Sequence, residues 1–161
     1  MPTEPPSWEI LVSHHLPARY DRTLCLSWRR GRLHLCARCT GQLLGVALYL
    51  ALFLESARQG WPLFSAPTQI AFALAPAPAA IDWLSQSLGA RESTNWIRVP
   101  TGTLLGMAAT DALALLLTER WMSSIAMGLV AAAYAGIILV LLRITGGWRR
   151  VVEEHFPGIE S

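Results

Sequence analysis

At 161 residues the chain has room for one domain, and a hydrophobic fraction of 53%, a mean hydropathy of +0.38 and 15% charged residues put it on the membrane side of the usual range. A formal charge of +2 argues against nucleic acid as a partner, since a groove binder needs a clustered basic face. All thirteen basic residues are arginine, which reflects either GC-rich codons or a use for bidentate grip on phosphate or carboxylate.

The N-terminus, MPTEPPSWEI, lacks a basic lead, an apolar run and a small-residue cleavage site, so no removed signal peptide is expected. Residues 1–12 are proline-rich and read as a flexible arm. Residues 13–39 form a Cys/His headpiece that carries all three cysteines and three of the four histidines. It has too few consecutive apolar residues for a core helix. Four apolar segments follow, TGQLLGVALYLALFLESA from Thr40 to Ala57, then Trp61 to Trp83, Trp96 to Thr118 and Trp121 to Leu142. A bilayer span needs about 20 largely apolar residues. The expected fold is therefore all-α, a four-transmembrane-helix bundle over residues 40–143 behind the small N-terminal headpiece. Residues 144–161 are expected to form an interfacial tail after a helix stop at Gly146-Gly147.

Tryptophan favours the membrane interface because its ring is amphipathic, and Trp61, Trp83, Trp96 and Trp121 bracket three of the four segments. Arg58 and Arg120 fall at the two short turns, while the other eleven arginines share the opposite side with both termini. The positive-inside rule then places both termini and the headpiece in the cytoplasm, with the protein in the inner membrane.

The hexapeptide TGQLLG, Thr40 to Gly45, returns sixty-one residues later as TGTLLG, Thr101 to Gly106, each with an arginine just upstream, Arg38 and Arg98. Either two repeated hairpins related by an axis along the membrane normal or a chance likeness over six residues accounts for it. The local consequence is firmer. Gly41/Gly45 and Gly102/Gly106 are small-xxx-small pairs that let helices approach closely, so the first and third helices should touch there. In the second segment, Pro76 and Pro78 remove backbone hydrogen bonds and should kink or unwind it near Asp82.

The Cys36-Ala-Arg-Cys39 pair brings two sulfurs within reach of one ion, and Cys25 adds a third. A closed zinc site wants four nitrogen or sulfur ligands, and His14 or His15 suits the fourth place better than His34. The candidate metal ligands are thus His14, His15, Cys25, Cys36 and Cys39, with zinc as cofactor. Two other readings stand beside it, a dithiol–disulfide pair at Cys36 and Cys39, and idle buried thiols. Arg19, Arg38, Asp82, Arg91, Asn95 and Arg98 share one side and form a candidate cleft for an anionic small molecule or lipid headgroup, although salt bridges from Arg91 or Arg98 to Asp82 or Glu92 would serve a plain loop as well. Ser93 is placed to cap the third helix. Asp111 lies deep in a span, where an unpaired carboxylate costs roughly 2.5–3.5 kcal/mol, and counting about 1.5 Å per residue puts it level with Gln69. The pair is either a hydrogen-bonded pin between helices or a proton or cation site.

HHLPARYDR…LCARCTGQLLG, together with AAIDWLSQ…RESTNWIRVPTGTLLG, resembles the prokaryotic membrane-protein family catalogued as domain of unknown function 2085, over about residues 13–106. In that pattern Ser13 stands where many members have cysteine, a place Cys25 would fill. The resemblance implies an integral membrane protein and weight on these positions; it implies no reaction. The expected function is a binding, transport or complex-subunit module of the lipid bilayer, with membrane-complex partner subunits a further expectation. The alternative is a membrane thiol–disulfide oxidoreductase using Cys36/Cys39 with a quinone, analogous to the vitamin K epoxide reductase relatives. Those enzymes keep their thiols on the oxidising side, which the arginine distribution opposes. No HExxH, serine-triad spacing or phosphate-cradling glycine loop is present.

Overall fold

The computed structural model describes Tyr20, residues 22–28 and residues 31–155. His14, His15 and Arg19 lie outside these described residues. Strands β1 (Thr23–Trp28) and β2 (Gly31–Cys36) pair antiparallel, with Cys25 opposite His34 and Thr23 opposite Cys36. Leu24, Leu26, Leu33 and Leu35 therefore share one face, and Thr23, Cys25, His34 and Cys36 the other. This corrects the all-α expectation. The leucines alternate with short or polar residues at a period of two, the pattern that satisfies a half-buried strand rather than an irregular headpiece.

β2 runs directly into α1 (Ala37–Gln59), so Cys36 sits at the N-cap and Cys39 in the first helical turn. The parallel partner of α1 is α4 (Asn95–Leu117). A Cβ on Gly41 would strike the backbone of Val99 and one on Gly102 the backbone of Arg38; Gly45 and Gly106 meet Thr103 and Gln42 in the same way. Each contact maps onto another when sixty-one residues are added to one side and taken from the other. The two helices touch where the glycine pairs were expected to bring them, with backbone against backbone.

Among the described residues three helices are long and apolar enough to cross a membrane, α1, α4 and α5 (Trp121–Ile144). The expected second span is not one helix. It is α2 (Ala66–Leu74) and α3 (Ala77–Ser87), separated at Ala75-Pro76. Pro76 and Pro78 have no N–H to give to Phe72 and Leu74, so the helical ladder lapses there, as the prolines foretold. Thr94 takes the N-cap of α4 and no side-chain bond caps it, so Ser93 does not have the capping role expected of it.

Tyr49, Leu63 and Phe72 form the apolar core, flanked by Phe53, Met107, Ala114 and Met127. The α5 helix presents most of its surface outward, and Tyr134 ties it to α2 by donating to the Ala73 carbonyl at 3.2 Å. At its start the Arg120 guanidinium lies 4.5 Å from the Phe64 ring centre, a cation–π contact. Gly146, at φ +68°, stops the chain after α5, and α6 (Gly147–His155) turns back so that Val151 reaches the end of the bundle where α1 and α4 begin.

Candidate functional site: an arginine-lined cavity around Asp82

Asp82, on α3, is 1% exposed, so its charge must be met inside the protein. Arg38, from the first turn of α1, donates to Oδ2 at 2.6 Å, and Arg91, from the segment before α4, donates to Oδ1 at 2.9 Å. Gln86, one turn on along α3, donates through Nε2 to Oδ2 at 2.9 Å and to the Asp82 carbonyl at 2.8 Å, while its Oε1 accepts from Arg98 Nη2 at 3.1 Å. Arg98, itself 4% exposed, is thereby linked to the same carboxylate through a neutral amide. The starts of α1 and α4 and the end of α3 are held by one charge and its donors.

Beside this network lies a cavity of about 210 Å³, walled by Arg22, Arg38 and Arg98, by Cys36 and Cys39, and by Gln42 and Gln86, with Trp83 and Val151 closing it. Among the described residues, its lining has three arginines and no carboxylate. The hairpin fixes one wall. Asn95 Nδ2 donates to the Thr23 carbonyl at 2.9 Å, Arg22 bridges Glu92 at 3.2 Å, and Tyr20 stacks on His34 with ring centres 4.0 Å apart. Thr23 Oγ1 donates to the Tyr20 carbonyl at 2.7 Å and lies 3.0 Å from His34 Nδ1. His34 is thus used in building the hairpin.

Of the expected cleft residues, Arg38 and Arg98 line the cavity, Asp82 and Arg91 brace it from behind, and Asn95 stands apart on an apolar groove with Leu24, Leu44, Trp96 and Pro100. Gln86 belongs to the same stretch of sequence as Asp82, Arg91 and Arg98 and follows Asp82 by one helical turn, whereas Arg22 and Gln42 were not anticipated. All three cysteines are free thiols; Cys36 is buried, Cys25 exposed, and Cys39 lies within hydrogen-bonding reach of Cys36. Two adjacent sulfurs with Cys25 on the same hairpin face are the donor types zinc takes, but among the described residues no three Cys, His, Asp or Glu side chains converge as a metal cage.

The second intramembrane group also assembles. The Asp111 carboxyl is fully buried and its Oδ1 accepts from Gln69 Nε2 at 3.2 Å, the contact expected from helix rise, and from Tyr49 OH at 2.8 Å, which was not expected. The repeat held a signal for Tyr49, because sixty-one residues beyond it comes Thr110, the neighbour of Asp111.

Long apolar helices, a backbone-contact helix pair and buried carboxylates answered by partners on other helices define a helical membrane protein. A family model described as predicted membrane protein (DUF2085) matches residues 18–111, more than half of the chain, and the protein belongs to that family. The match spans the hairpin, the Asp82 network and the α1–α4 pair, and ends on Asp111. No curated protein and no solved structure matches the chain.

Proposed function

We propose that the protein is a membrane binding module whose arginine-lined cavity takes a small anionic group, a phosphate or carboxylate on a soluble molecule or a lipid head. The observation that carries this reading is the lining itself, which among the described residues has three guanidiniums and two glutamines and no acid. Guanidinium groups grip such oxyanions bidentately, and Asp82 holds Arg38 in place before any ligand arrives. At about 210 Å³ the cavity is smaller than the roughly 300–1,000 Å³ of drug-sized pockets, which suits a headgroup and not a whole nucleotide.

In this reading α2 and α3 together make a fourth, interrupted crossing. Residues 66–87 would cover about 33 Å as helix, and Gln69 at one end meets Asp111 while Asp82 at the other meets Arg38. In this reading the cavity faces the cytoplasmic side of the inner membrane, supported by the arginine distribution. Inorganic phosphate titrated into purified protein, followed by Trp83-sensitive fluorescence and calorimetry, should bind, and Arg98→Gln should weaken it by roughly tenfold or more. Equal affinity for phosphate in wild type and Arg98→Gln would defeat the proposal.

The thiols carry a related reading. Cys36 and Cys39, with Cys25 and with His14 or His15, are proposed as a zinc site that would clamp the hairpin over the cavity; it is supported by the adjacency of Cys36 and Cys39. Purified protein should hold about one zinc per chain and lose it on Cys36→Ser. A metal-free protein with a Cys36–Cys39 disulfide that responds to quinone would instead favour the oxidoreductase.

A further inference from the structure

The Asp111 cluster is separate from the arginine cavity and is built from three helices, Tyr49 on α1, Gln69 on α2 and Asp111 on α4. Both of these donors go to Oδ1. Asp111 Oδ2 and Gln69 Oε1 are buried and have no hydrogen-bond partner among the described residues. Two acceptors left bare in an apolar interior are costly, and no arginine stands among the donors as it does at Asp82. One proton on Oδ2 resolves both vacancies. A carboxylic acid and a primary amide are complementary along one edge. The amide N–H donates to the acid carbonyl, as Gln69 Nε2 donates to Oδ1, and a protonated acid would have an O–H to offer the amide carbonyl, here Gln69 Oε1.

We propose that Asp111 is a proton-binding site of the membrane domain, loaded and unloaded during the working cycle. In the loaded state the proton sits on Oδ2. On unloading it passes to a water molecule, which leaves as hydronium, and the carboxylate left behind keeps Tyr49 OH and Gln69 Nε2 as donors. A hard cation fits less well, because the cluster offers four side-chain oxygens where such ions take six or more. Tyr49 also lines an apolar cavity of about 180 Å³ that runs past Phe53 and Thr110 to Leu117 and Thr118, at the C-terminal end of α4.

The test is infrared difference spectroscopy of protein reconstituted in lipid, between mildly acidic and mildly alkaline buffer. Wild type should show a carboxylic-acid carbonyl band at acidic pH that disappears at alkaline pH and is absent from Asp111→Asn. Tyr49→Phe should retain the band and move it to higher frequency, since the acid carbonyl loses a donor; this arm reads Asp111 even if Asp111→Asn does not fold. A band that persists unchanged at both pH values would make Asp111 a permanently protonated pin between helices. Absence of any Asp111 band at both would make it a fixed carboxylate. Either result overturns the proposal.

Discussion

Asp82 and Asp111 are buried to the same degree in one helical bundle and are answered by opposite means. Two guanidiniums and an amide surround Asp82, at the level where the hairpin, α1 and α4 begin. Among the described residues only neutral donors, a phenol and an amide, reach Asp111, deeper in the bundle. Charge pairing is affordable near the interface because arginine side chains keep part of their length in water; Arg91 is 43% exposed on its side chain. At the depth of Asp111 a guanidinium would have to be desolvated too. The chain gives Asp111 neutral partners and keeps its arginines at the ends of the helices.

The same isosteric change separates the two sites. Asp82→Asn leaves Arg38 and Arg91 with a neutral amide and should destabilise the protein by about 3 kcal/mol, the low end of the range for a broken buried pair because both arginines retain exposure. Asp111→Asn keeps an acceptor for Tyr49 and Gln69 and gives Gln69 Oε1 a donor, so its effect should stay within about 1 kcal/mol. Unfolding in mixed micelles, followed by helical circular dichroism, measures both, and equal losses would erase the contrast. Between these falls Gly106→Val. Its side chain would meet the backbone of Gln42, and forcing α1 and α4 apart should cost about 1–3 kcal/mol and loosen the two carboxylate sites together.

Much of this was legible from composition and spacing. The long apolar helices follow from run length, the break in the second segment from Pro76 and Pro78, and the Gln69–Asp111 contact from counting helical rise. The glycine pairs placed α1 against α4 because absent side chains leave few other reasons for that spacing. The hairpin was missed although Leu24, Leu26, Leu33 and Leu35 alternate, because a run of six residues with polar interruptions reads equally as loop until its partner strand is known. Pairings such as Arg38 with Asp82 join residues forty-four apart, and only the packing of α3 across the starts of α1 and α4 decides which arginine faces which oxygen.

The reciprocal glycine contacts also divide the molecule mechanically. Where backbone meets backbone there are no side chains to change rotamer and no slack to slide through, so α1 and α4 behave as a single keel. Whatever moves must move around it. The parts free to do so are the broken pair α2–α3, jointed at Ala75-Pro76, and the lightly packed α5. Asp82 belongs to the jointed half and Arg38 to the keel, and Gln69 and Asp111 are divided in the same way. A swing of that half about its joint would therefore open the arginine cavity and part the acid from its amide in one stroke.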